Sequence, residues 1–285
     1  MSLSLRGRQL FLTYMGILVL CGGLTTGSWS LSESNQSERL KEALRILSQV
    51  SQGQVLLSRT MSAWNTYDLT GILSKLKWDS VSRTDTVLTR HYDPSTGIET
   101  RDREVVIYLK ENQSQLELVL DLVHELVHAT ARPAFDPYDP MLTAGKYVWL
   151  AIEGEGGEIN AVTTECEVAL ALHKRFDWSS TRCQSYFDAK GRLLTTKLLL
   201  EEIKRDFYKV GKGYQEIRQR LGMETSLFPL LSPSAPRFFS STGKAPYPIS
   251  LFHEFEEINE IACRNSKARA TKGEGHLLAK RCSHF

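Results

Sequence analysis

The sequence predicts an α+β fold, mostly helical, with a small antiparallel or mixed sheet ahead of one central helix. Three observations carry this. Apolar residues recur at helical spacing in most segments of the chain. Residues 82–110 are instead rich in β-branched types and contain strong turn chemistry. A capped, apolar helix follows that stretch directly.

Length and composition are those of an ordinary globular protein. The 285 residues suffice for a sizeable core, and 41% hydrophobic with 24% charged residues suits one. The formal net charge is only +2, with both signs interspersed, so nothing draws the chain towards nucleic acid.

The first 28 residues read as an export signal. Arg6 and Arg8 precede an apolar stretch from Leu10 to Leu20, and small and polar residues follow to Ser30. The apolar stretch is short for a membrane span, which needs about 20 residues. Cleavage within Thr25 to Ser28 is expected, with an uncleaved N-terminal anchor as the alternative. Cys21 invites a lipoprotein reading, but Leu20 stands where such signals carry a small residue. The remaining chain is expected in an exported compartment: periplasmic, secreted or envelope-anchored. Its four other cysteines, Cys166, Cys183, Cys263 and Cys282, suggest two disulfides there. Three connectivities are open, and sequence proximity favours Cys166–Cys183 with Cys263–Cys282.

The elements follow in order. Leu40, Ala43, Leu44, Leu47 and Val50 have helical spacing, and a mixed segment from Val55 to Leu76 contains Trp64. Leu73, Leu76 and Trp78 belong to the core of this helical support. Thr84 to Thr89 and Val105 to Leu109 read as strands joined by a hairpin at residues 93–97. Residues 114–131 form the clearest helix. Ser114 caps it with Glu117 completing a capping box, Leu116, Leu120, Val123 and Val127 repeat along it, and Pro133 ends it. A helical region from Thr143 to Phe176 is interrupted at Gly154, Gly156 and Gly157. Leu193 to Tyr208, Tyr214 to Leu221 and Leu251 to Ile261 are further helices. Residues 227–249 hold five prolines and read as loop, and the tail after Arg264 reads as basic, solvated and mobile.

The chemistry lies in the clearest helix, where Leu122-Val-His124-Glu125-Leu-Val-His128-Ala129 contains His-Glu-x-x-His. Residues four apart share one helix face, so two imidazoles reach one ion from the same side. Glu125, between them, does not ligate and is placed to take a proton from a water that the metal acidifies. The bland reading is a surface helix carrying charges. Against it stand the apolar flanks and the uncharged internal positions, which suit a buried helix. The metal expected is Zn2+.

With this motif the chain resembles the zincin metallopeptidases, over roughly residues 100–175. The resemblance implies a zinc-dependent hydrolase acting on peptide or protein substrates. The metzincin extension requires Gly and a third His where this chain has Ala131 and Ala134, so that branch is excluded. The gluzincin branch takes its third ligand from a Glu on a later helix, and Glu158 with Ala161 is similar to its Glu-x-x-Ala stretch. Glu158 is therefore the expected third ligand, Glu155 the second choice and Glu165 the third. Gluzincins often carry Asp four residues after that ligand, where this chain has Val162; Asn160 or Asp121 is expected to support the site instead. The chain then divides into residues 1–28 (signal or anchor), 31–80 (helical region), 81–225 (zincin-like core) and 226–285 (proline-rich loop, helix and basic tail packed on the core).

Other residues are assigned no role. His173, His91, His253, His276 and His284 read as surface or structural histidines. Tyr138 and Tyr147 are possible oxyanion donors and equally ordinary packing residues. Phe228, Phe238, Phe239, Tyr247, Phe252 and Phe255 read as pinning the proline-rich loop rather than lining a groove. Two rival functions stay open: a zinc hydrolase of non-peptide amides, and a non-catalytic, zinc-stabilised envelope interaction protein with a fourth protein ligand such as His173. Membrane contact is expected only through an uncleaved N-terminal segment.

Overall fold

The computed structural model describes residues 3–5, 33–93, 96, 98–131, 135–240, 243–270, 278, 281 and 282. The fold is α+β and mostly helical, with a small mixed sheet. Helices α1 (Glu33–Leu47), α2 (Ser51–Trp64) and the short α3 (Leu69–Leu73) come after strand β1 (Leu3–Leu5). Strands β2 (Leu76–Asp79), β3 (Arg83–Asp93) and β4 (Ile98–Lys110) precede the central helix α4 (Gln115–Thr130). Helices α5 (Ala144–Glu153), α6 (Glu158–Phe176), α7 (Thr196–Phe207), α8 (Tyr214–Leu221) and α9 (Tyr247–Ala270) complete it.

The sheet order is β1-β3-β4-β2. β3 and β4 pair antiparallel from Arg83↔Tyr108 to Asp93↔Ile98. Residues 94, 95 and 97 of the expected hairpin turn lie outside the described residues. β2 pairs parallel to β4, with Leu76 opposite Ile107. The sequence assigns Leu76 and Trp78 to helical support; they lie instead on this strand. Four residues are too few to show a period, and the pairing with β4 decides the conformation. β1 runs antiparallel along the outer edge of β3, within the segment read as an export signal.

On β4, Val105, Ile107 and Leu109 are buried while Glu104 and Lys110 are exposed, the alternation of a strand with one face on the core. That face lies on α4, which also contacts α1, α2, α6 and β3. Leu118, Val119, Leu120, Leu122, Val123, Leu126 and Ala129 are all fully buried, so α4 is enclosed on most of its circumference. Ser114 caps it by accepting from the Glu117 N–H at 3.2 Å. The Glu117 carboxylate turns away, to Ser180 at 3.1 Å and Arg182 at 3.3 Å. The helix ends at Ala131, and Pro133 lies outside the described residues.

The C-terminal region departs from the solvated tail expected. α9 runs on to Ala270, and its first turn accommodates Pro248, whose missing N–H has no helical acceptor there. Cys166–Cys183 and Cys263–Cys282 are disulfide-bonded. The second bond brings Leu278 and Cys282 into a small buried cluster with Tyr138, Ala262 and Cys263. The Arg281 guanidinium donates to the carbonyls of Asp139, at 2.6 Å, and Pro137. The Cys263–Cys282 pair favoured by proximity already implied a tether here, whereas the solvated reading of the tail followed its basic, polar composition alone. Two disulfides fit an oxidising, extracellular compartment. Among the described residues no helix is long and apolar enough to cross a membrane.

Candidate metal centre

His124 and His128 project from one face of α4, their ring centroids 4.9 Å apart and their planes at 73°. α6 packs beside α4 and presents Glu158 in its first turn, where the helix macrodipole favours a carboxylate. His124 Nε2 lies 3.2 Å from Glu158 Oε2, and His128 Nε2 lies 3.2 Å from Glu158 Oε1. One ligand atom from each of the three residues falls within 4.8 Å of the others. Two nitrogens and an oxygen gathered this closely, all from side chains that ligate when deprotonated, form a group able to hold a metal ion.

The outer ring nitrogens are fixed by other partners. His128 Nδ1 donates to the Gly156 carbonyl at 2.7 Å, and His124 Nδ1 lies 3.1 Å from Glu165 Oε2. Each contact leaves Nε2 as the inward-facing nitrogen, the tautomer a metal requires. Gly156 cannot be replaced freely. Its φ is +70°, and a Cβ there would stand 2.0 Å from Ala131 Cβ. Bare backbone is what lets its carbonyl reach His128. Its N–H donates to Asn160 Oδ1 at 3.1 Å, which steadies the turn between α5 and α6.

Comparison with protein-family models, with curated proteins and with solved structures finds no match.

Glu125 is buried but stands outside the ligand group. The Thr84 hydroxyl, on β3, lies 2.8 Å from Glu125 Oε2 and 3.1 Å from the Glu125 carbonyl. Burial pushes the Glu125 carboxyl up, against the pull of His124, His128 and Thr84. Burial acts on Glu158 in the same sense, yet the two imidazoles overcome it and hold that carboxyl well below the usual range. Burial opposes protonation of both histidines. Glu158 and Glu165 outweigh it at His124, and Glu158 outweighs it at His128, so both imidazoles sit above their ordinary value.

Of the other expected third ligands, Glu155 is exposed and outside the group, and Glu165 supports His124 from behind. Asp121 bonds Ser82 and Arg182, and Asn160 bonds Gly156, so neither touches an imidazole directly. His173, fifteen residues beyond Glu158 on α6, is about 22 Å further along the helix axis. It binds the Trp178 carbonyl at 3.1 Å. Tyr138 belongs to the C-terminal cluster, and Tyr147 packs on Phe135 and Phe255.

Two residues at the centre escape the sequence reading. Thr84 looks like any β-branched strand residue. Tyr247 falls among aromatics read as loop anchors, a role that Phe228, Phe252 and Phe255 fill by burial and Phe238 fills by stacking on Phe207. Phe239 is exposed. Tyr247 alone of that group reaches the centre: its hydroxyl hydrogen-bonds Glu158 Oε1. Burial, with Glu158 beside it, raises this phenol well above its ordinary range, so it is a neutral donor. No local pattern signals a contact across 89 residues.

Proposed function

We propose that this chain is an exported, zinc-dependent metallopeptidase of zincin type, with His124, His128 and Glu158 as ligands and Glu125 as the catalytic base. The carrying observation is the convergence of two helix-borne imidazoles and one carboxylate while a second buried acid, Glu125, stays outside the set. Three protein ligands suit a catalytic zinc site, which keeps a position open. Two disulfides support export. The resemblance to gluzincins rests on His-Glu-x-x-His and the downstream Glu158.

Zinc held there would act as a Lewis acid that polarises the substrate carbonyl and acidifies a water. The protein's own residues supply the remainder. Glu125 takes the proton from the attacking water and passes it to the leaving amine. Thr84 holds the Glu125 carboxylate through one oxygen. Burial keeps the proton affinity of Glu125 high enough for it to act as base and then acid. Tyr247 steadies the Glu158 carboxylate. The Gly156 carbonyl and Glu165 hold the imidazole tautomers.

The test pairs metal analysis with hydrolysis of a mixed peptide library. The purified chain is expected to bind one zinc per molecule and to cleave. A chain that binds no transition metal under any loading condition refutes the proposal. One that binds zinc but cleaves only non-peptide amides refutes the peptidase assignment alone.

A further inference from the structure

Arg182 lies outside the metal centre, yet it touches both helices that build it. Its guanidinium meets Glu165 on α6 at 2.9 Å, and Asp121 at 2.6 Å and Glu117 at 3.3 Å on α4. α4 carries His124 and His128, and α6 carries Glu158. Asp121 sits one turn before His124, and Glu165 two turns after Glu158. Glu165, only 4% exposed at its side chain, has one oxygen on Arg182 Nε and the other on His124 Nδ1. The loop that brings in Arg182 is fastened beside it: Cys183 is bonded to Cys166, the neighbour of Glu165. The covalent tether lowers the entropy cost of placing a long side chain there.

We propose that Arg182 is a positioning residue for metal binding: by clamping Glu165 against α4 it fixes the orientation of His124 and the spacing of the two ligand-bearing helices. This rests on the reading of His124, His128 and Glu158 as metal ligands. A planar guanidinium spreads five donors over a rigid fork that reaches three carboxylates in fixed directions, whereas an ammonium gathers its three donors at one point on a flexible stem. Without it, Glu165 keeps its contact with His124 but loses the partner that fixes its plane.

The experiment is cobalt(II) titration of the full chain, read by visible d–d absorption and by competition with a chelator of known affinity. The chains compared are wild type, Arg182→Gln, Arg182→Lys, Glu165→Gln and the Arg182→Gln, Glu165→Gln double variant. Loss of a second-sphere contact typically weakens a metal site by about 10–100-fold. Arg182→Gln is expected to weaken cobalt binding by about tenfold and to alter the d–d spectrum, with Arg182→Lys in between. In the Glu165→Gln background, removing Arg182 is expected to cost at most a further twofold, because its path to the metal is already cut. Circular dichroism of the metal-free chains verifies the fold. Equal affinity in wild type and Arg182→Gln overturns the proposal while leaving the metal reading intact. So does a full, additive loss in the double variant. Absence of cobalt binding by the wild type overturns both.

Discussion

Replacing Glu125 by glutamine separates the base from the ligands. The side chains have nearly the same shape, and the glutamine carbonyl can still accept the Thr84 hydroxyl that lies 2.8 Å from Glu125 Oε2. The electrostatic consequences oppose one another: the buried charge disappears, and with it the attraction to His124 and His128. The net stability change is therefore expected within about 1 kcal/mol. Metal affinity is expected to stay within threefold, because Glu125 is not in the ligand group. Turnover is another matter. A positioned general base contributes about 10²–10⁴-fold, or roughly 3–5 kcal/mol of barrier, and an amide cannot take the proton. The assay is zinc content together with single-turnover cleavage of a quenched fluorescent peptide pool by wild type and Glu125→Gln. Zinc retained with turnover down at least a hundredfold is the expected result. Activity within threefold of wild type, or loss of zinc, would refute the division of labour.

Removing a ligand should act the other way: His124→Ala or Glu158→Ala is expected to abolish stoichiometric zinc binding, measured by equilibrium dialysis. Zinc at a hundred times its dissociation constant adds about 2.7 kcal/mol to the native state, so chelation should lower the melting temperature by roughly 5–10 °C in wild type and leave His124→Ala unmoved. For the metal-free protein the sign of the pH dependence follows from the histidines. Their native pKa values are raised above the ordinary imidazole value of 6.5. Their stabilisation is thus complete below pH 6.5 and is lost as pH climbs through the raised native values. Glu158, lowered from 4.5, contributes above that pH and loses its effect only on strong acidification. Zinc affinity should run opposite, rising with pH as the ligands shed protons; denaturant titrations with and without zinc at pH 6 and 8 would show the reversal or its absence. Gly156→Ala places a β-carbon 2.0 Å from Ala131 Cβ at a φ of +70°. Backbone strain alone costs about 1–2 kcal/mol, and displacement of the carbonyl from His128 should weaken zinc binding as well. Cys263 and Cys282 close a loop with a sequence separation of 19, so replacing both should cost about 3 kcal/mol in a denaturant melt.

Local pattern determined much of this protein. The four-residue spacing of His124 and His128, the Ser114 cap and the apolar positions between them specify a buried helix with two imidazoles on one face, because helical period is a property of the chain itself. The interruption at Gly154, Gly156 and Gly157 separates α5 from α6 for the same local reason, and the spans of α8 and most of α7 follow from periodicity. The Glu-x-x-Ala resemblance ranked Glu158 ahead of Glu155, but what brings an acid to the imidazoles is tertiary: the packing of α6 on α4 sets Glu158, and not Glu155, against them. The same packing gives Glu165 its place behind His124, two turns along rather than one. Thr84, Arg182 and Tyr247 approach from a strand, a tethered loop and a distant helix. Side-chain contacts between elements far apart in sequence arise from how helices and strands dock, and no short window of sequence encodes that docking.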